Sequence, residues 1–245
     1  MMKKRHSFLW ISGWSVSSDI WKPFMSQWPN AHHYSLSFEN CETVEQINKH
    51  AIQTFQQVEH KPVNIIGWSL GAMIALQLAV RFAKDINHLF LIAGVSSFMR
   101  TKQNKTGWNE LVIKRMKKQL ENDVQQVIRI FDQKMFTDHE KLNGDKKKWD
   151  KFIRKSVPSV WSLQAGLDFL EKFSIDEYIK FIHTPVSLLS GEEDKICALE
   201  STRVLADQLH SCTHSRWDET GHACFWTNQE KFHQWIKEGV NHEDQ

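Results

Sequence analysis

The apolar pair Ile65-Ile66 runs into Gly67-Trp68-Ser69-Leu70-Gly71 and leaves through Ala72-Met73-Ile74-Ala75-Leu76-Gln77-Leu78, an alanine- and leucine-rich stretch of helical character. Few short patterns constrain a fold so tightly. Glycines two before and two after a serine let the backbone turn sharply from strand to helix, leaving the hydroxyl exposed at the end of a sheet. Ser69 is therefore a candidate nucleophile. The following helix brings free N–H groups and its positive end to where an oxyanion would form. Gly-x-Ser-x-Gly also occurs as an ordinary turn, but the strand before it and the helix after it are the setting this chemistry needs.

A serine hydroxyl reacts at neutral pH only when a histidine takes its proton and a carboxylate orients that histidine. In sheets of this kind the partners follow in the order serine, acid, histidine, each just after a late strand. Thr184 to Ser190 reads as a buried strand ending in Gly191-Glu192-Glu193-Asp194, a turn that offers a carboxylate. Ser215-Arg216-Trp217 reads as a short strand whose loop, Asp218-Glu219-Thr220-Gly221-His222, presents a histidine before the terminal helix. Asp194 and His222 are the candidates, with Glu193 as the substitute acid. The chain has 13 histidines; His32, His33, His88 and His139 fit no such strand end and read as surface or packing residues. A second oxyanion donor besides the Leu70 amide is expected after the first strand. Ser7 to Ile11 is apolar and breaks at Ser12-Gly13-Trp14, which makes the Trp14 N–H the candidate; the alternative is a glycine turn with a buried indole.

With these residues assembled, the chain resembles the α/β-hydrolase superfamily over nearly its whole length. More narrowly, Gly13-Trp14, Gly67-Trp68-Ser69-Leu70-Gly71 and Gly221-His222-Ala223 are similar to the pimeloyl-acyl-carrier-protein methyl ester carboxylesterases of biotin synthesis, the BioH type. The resemblance implies a Ser69–Asp194–His222 triad, oxyanion donors at Trp14 and Leu70, and a helical cap that receives acyl carrier protein. The chain departs from that pattern at Ser12, where a histidine usually precedes the glycine. It also lacks the usual Asp-x-Pro-Gly-x-Gly loop after Asn30, and both departures bear on substrate.

Alternating strand and helix patterns imply a mostly parallel sheet flanked by helices, with reactive groups at the carboxyl ends of its strands. Strands are expected near residues 7–11, 33–37, 63–68 and 88–93, with helices over 18–27, 44–58 and from 72 to 83. At 245 residues with 10 glycines, 5 prolines and no linker or repeat, one domain is expected. Its core would be residues 1–95 and 174–245, and its cap about 96–173. Trp108, Leu111, Val112 and Met116 mark one apolar face of that insertion and Val124, Val127, Ile128 and Phe131 another. A segment placed there would shape the pocket and exclude water.

The insertion is also basic. Residues 96–173 carry a net +7, whereas the whole chain is only +2. Lys147, Lys151, Arg154 and Lys155 recur at one-face helical spacing, and Lys114, Arg115, Lys117 and Lys118 form a second cluster. These read either as a solvated lysine-rich surface or as a patch that steers an acidic partner, for which acyl carrier protein fits better than nucleic acid. Trp14 and Trp68 are expected to touch the acyl group, and Trp108, Trp149 and Trp161 to line an apolar channel or simply to pack. The four cysteines, Cys41, Cys197, Cys212 and Cys224, show no metal or redox spacing, and no secretory signal or membrane-spanning run is visible, so a cytoplasmic protein with reduced thiols is expected. No metal or cofactor is needed for acyl transfer to water. Three readings follow: an acyl-carrier-protein methyl ester esterase; a thioesterase, general short-chain carboxylesterase or menaquinone-pathway lyase on the same triad; and a non-catalytic binding protein of the same fold.

Overall fold

The computed structural model describes residues 5–102 and 104–241. Six strands, β1 (Ser7–Ile11), β2 (His32–Leu36), β3 (Val63–Trp68), β4 (Ile86–Ile92), β5 (Val186–Gly191) and β6 (Cys212–Trp217), form one parallel sheet in the order β2-β1-β3-β4-β5-β6. The four inner strands are apolar runs because helices cover both faces of the sheet. Residues of β1, β3 and β5 are buried without exception. The edge strands are short and polar, with sequences HHYSL and CTHSRW, and half-exposed.

Eleven α-helices are described: α1 (Lys22–Met25), α2 (Val44–Gln56), α3 (Leu70–Phe82), α4 (Glu110–Asn122), α5 (Val124–Met135), α6 (Asp138–Leu142), α7 (Asp145–Phe152), α8 (Val160–Lys172), α9 (Leu199–Gln208), α10 (Cys224–Thr227) and α11 (Gln229–Asn241). Helix α3 is apolar nearly all round, as a helix pressed against the middle of the sheet must be. Helices α4 to α8 form one insertion between β4 and β5. Its two ends meet where Ser97 bridges Ser174 and the Ile175 amide donates to the Ser96 carbonyl at 2.9 Å. No helix among the described residues is long and apolar enough to cross a membrane.

The insertion's second apolar face lies as the spacing requires, with Val127, Ile128 and Phe131 buried on α5. The first does not. On α4 the buried residues are Ile113 and Leu120, whereas Leu111 is 69 % exposed. Asn109 caps the helix through the Leu111 amide, and of the expected stripe only Trp108 and Met116 pack partly buried against the core. The expected helix over 18–27 is a 3-10 turn, Ser18–Trp21, followed by α1.

Candidate active site

Ser69 has φ +55° and ψ −117°, strained values for a side chain larger than glycine, and it stands between β3 and α3. Both motif glycines are obligatory for this turn. A Cβ on Gly67 would sit 2.6 Å from the Gly71 carbonyl oxygen, and one on Gly71 would sit 2.3 Å from the Ile11 oxygen. The Ser69 amide donates to Ile92 at 2.8 Å, which ties the turn to the end of β4.

The loops after β5 and β6 meet beside this turn. A Cβ on Gly191 would lie 2.3 Å from the Gly221 oxygen, so the two loops approach backbone to backbone, and the Glu193 amide donates to the Thr220 carbonyl at 3.0 Å. Asp194 Oδ2 is 2.8 Å from His222 Nδ1, with Asp194 6 % and His222 1 % exposed. The other oxygen, Oδ1, accepts from the Ile196 and Cys197 amides at 2.7 and 2.9 Å. A carboxylate so satisfied can hold a histidine in one orientation and balance an imidazolium. Glu193, the substitute acid, is exposed.

Trp14 packs under the insertion. Its indole donates to the Leu163 carbonyl at 2.9 Å, its ring meets Phe131 edge-on at 4.8 Å, and a Cβ on Gly166 would come 2.4 Å from its Cδ1. Among the described residues, the backbone amides of Trp14 and Leu70 have no hydrogen-bond acceptor. Two such amides beside a strained serine are what an oxyanion requires. Ser69 itself is 4 % exposed. Burial pushes the Cys197 and Cys224 thiols well above their ordinary range, so neither is a ready nucleophile.

Several expected residues lie elsewhere. Trp68 does not face a substrate space: it is buried, its indole donates to the His222 carbonyl at 3.0 Å, and its ring lies 5.3 Å from the His222 ring. It supports the histidine instead. Trp149 packs edge-on against Trp68 at 5.9 Å, the Trp108 indole donates to Ile196 at 2.7 Å, and Trp161 is 62 % exposed, so the three do not line one channel. The cleft bounded by Trp14, Ser15, Leu70, Leu163 and Gly166 has only about 10 Å³ of free space, room for about one water.

Arg154 is not part of an exposed patch. Helix α7 ends at Phe152, and past that end Arg154 turns inward to Asp132 through Nε at 2.7 Å and Nη2 at 2.5 Å. It also donates to the Ser15 carbonyl at 2.5 Å, next to Trp14. Lys147, Lys151 and Lys155 remain exposed. In the second cluster Lys117 pairs with Asp168 and Glu171, and Lys114 with Glu110.

Spacing alone does not reveal that Asp132 draws Arg154 inward, that Arg154 reaches the Ser15 carbonyl, or that Glu140 reaches the loop before His222. Glu140 carries a local signal, the Thr137-x-x-Glu140 capping box that starts α6. Its partners beyond the helix are far away in sequence.

The family model of the alpha/beta hydrolase fold matches residues 19–229, and the chain belongs to that family. Within it, the chain is 24 % identical over 198 residues to a pimeloyl-(acyl-carrier protein) methyl ester esterase of Wigglesworthia glossinidia brevipalpis, covering 78 % of this chain and 75 % of the relative. It is 23 % identical over 232 residues to the protein of the same name from Nitrosomonas europaea, covering 91 % and 90 %. Among solved structures, an esterase from Exiguobacterium antarcticum superposes with a TM-score of 0.82 at 14 % identity, over 98 % of this chain and 92 % of that one.

Proposed function

We propose that the chain is a serine carboxylesterase whose substrate is the methyl ester of pimeloyl-acyl carrier protein. The observation that carries the hydrolase reading is the buried Asp194–His222 pair beside a strained Ser69 at the start of α3. Ser69 attacks the ester carbonyl and forms the acyl–oxygen bond while His222 takes its proton. The Trp14 and Leu70 amides hold the oxyanion. His222 then returns the proton to the departing alcohol, and water repeats the cycle on the acyl-serine. On this reading the Ser69 hydroxyl closes on His222 when substrate arrives, as catalytic hydrogen bonds often tighten only then.

The names of the two relatives support the carrier-borne ester, and so does the surface of the insertion, which acts as a cap. Between α4 and α5 lies an open groove of about 250 Å³, floored by Trp108, Met116 and Phe131 and flanked by Arg115 and Lys134. Exposed Lys147, Lys151 and Lys155 add charge on α7 and just past it. Such a surface steers an acidic protein by long-range attraction. The narrow space at Trp14 requires the cap to shift before an acyl chain can reach Ser69.

The test compares a methyl ester carried on acyl carrier protein with a free p-nitrophenyl ester, using the wild type, Ser69→Ala and the triple variant Lys147→Glu, Lys151→Glu, Lys155→Glu. Ser69→Ala should abolish both activities. The triple variant should lose kcat/KM on the carrier-borne ester alone, most at low salt. Equal rates for the triple variant and the wild type on the carrier-borne ester would remove the exposed patch from the account. Preference for the small ester would leave a general esterase.

A further inference from the structure

The cap holds the loop that carries His222. Met135, the last residue of α5, accepts the His222 amide through its carbonyl at 2.8 Å. Thr137 donates its hydroxyl to the Glu219 carbonyl at 3.1 Å. The Glu140 side chain completes the grip: Oε2 accepts from the Thr137 amide at 2.8 Å and from the Gly221 amide at 3.2 Å, while Oε1 accepts from the Thr227 hydroxyl at 2.8 Å. Glu140 is 3 % exposed. Gly221 admits no side chain here, since a Cβ would lie 2.3 Å from the Met135 oxygen and 3.1 Å from Glu140 Oε2. A capping box asks only for the bond to Thr137. The bonds to Gly221 and Thr227 reach 81 and 87 residues along the chain, from the cap to both sides of the histidine.

We propose that Glu140 is a positioning residue for His222, the side chain through which a seated cap sets the catalytic histidine in place. The inference rests on the triad reading above. Asp194 and Trp68 hold the ring and the carbonyl of His222 from the core, whereas its amide, and that of Gly221 before it, are held by the cap alone. Cap closure and assembly of the general base are thus one event, a coupling of access to competence that limits idle reactivity in the open state. Glutamine can replace Glu140 without breaking the grip. Its carbonyl oxygen accepts from the two amides, and its NH2 donates to the Thr227 oxygen, whose hydroxyl already has the Cys224 carbonyl as a second acceptor at 3.2 Å.

The experiment measures kcat and KM on a p-nitrophenyl ester for wild type, Glu140→Ala, Glu140→Gln and Asp123→Ala, each at a temperature where circular dichroism shows it fully folded. Asp123 caps α5 in the same insertion through the Gln126 amide and does not touch the histidine loop, so its variant reports general loosening of the cap. Glu140→Ala should lose about 10- to 100-fold in kcat, since small displacements of a catalytic group have effects of that order, with KM within about twofold. Glu140→Gln should keep wild-type kcat. If Glu140→Ala does not fold, Glu140→Asp, which withdraws the carboxylate by one methylene, carries the same expectation. An alanine or aspartate variant with wild-type kcat, or a loss matched by Asp123→Ala, would overturn the positioning role. The wild type separates the two proposals: without Ser69-dependent turnover the triad reading fails, and with it the Glu140 variants decide this one.

Discussion

At the scale of single residues, the chemistry depends on which of three adjacent carboxylates faces the histidine. Glu192, Glu193 and Asp194 follow one another in the turn after β5, and composition gives no reason to prefer any. The backbone decides. The Glu193 amide is drawn to Thr220, which leaves the Glu193 side chain in solvent and aims Asp194 inward. Asp194→Asn keeps Oδ1 as acceptor for Ile196 and Cys197 but presents an amide to His222, favouring the wrong tautomer. It should lower kcat by about 10⁴ with little change in thermal midpoint, and Glu193→Gln should leave kcat unchanged. Steady-state kinetics of the two variants check this directly.

At the scale of elements, the parts that were legible in the sequence are those whose signals are local. The turn at Ser69, the helix α3 and the inner strands each announce themselves through apolar runs and glycines. Strand β6 was legible only at its last three residues, because the rest of an edge strand carries no apolar run. The buried face of α4 departs from the expected stripe because tertiary packing takes Ile113 and Leu120 inward, whereas Leu111 is exposed and Val112 borders an open groove. Arg154 shares a helical spacing with three lysines, yet α7 stops before it and Asp132 draws it inward. Contacts between segments distant in sequence leave no period to read. Helix α8 gives an element-scale test. Gly166 lets α8 pass within contact of Trp14, so Gly166→Ala gains about 1 kcal/mol in helix propensity but pushes the indole, and with it the Trp14 amide, out of place. Esterase kcat/KM should fall at least about tenfold while helicity by circular dichroism is kept; unchanged kcat/KM would mean that the Trp14 amide does not serve the oxyanion.

At the scale of the whole molecule, stability and function share the seam between cap and core. Buried Glu140 shows the tension. Burial raises its pKa above the ordinary glutamate value of 4.5, against the lowering effect of the Thr137 and Gly221 amides and the Thr227 hydroxyl, and nearby Asp145 raises it further. The folded state thus binds the proton more tightly than the unfolded state, so the ionised carboxylate costs stability at pH above its folded pKa, and that cost fades as pH falls toward 4.5. Glu140→Gln should accordingly raise the thermal midpoint at pH 8, by an amount that shrinks on acidification. A variant less stable than wild type at pH 8 would show that charge in the grip matters more than its burial. The same seam buries Ser69, which is 4 % exposed, and leaves a cleft of only about 10 Å³ at Trp14 and Leu70.

The central claim is that Ser69 is an activated nucleophile. The most direct measurement is labelling of the native protein with a serine-directed fluorophosphonate, followed by peptide mapping, in wild type, Ser69→Ala and His222→Ala. The account predicts one stoichiometric adduct on Ser69 in the wild type, none in Ser69→Ala, and labelling of His222→Ala slowed by orders of magnitude. A wild type that takes no label, or takes it equally fast without His222, would contradict it.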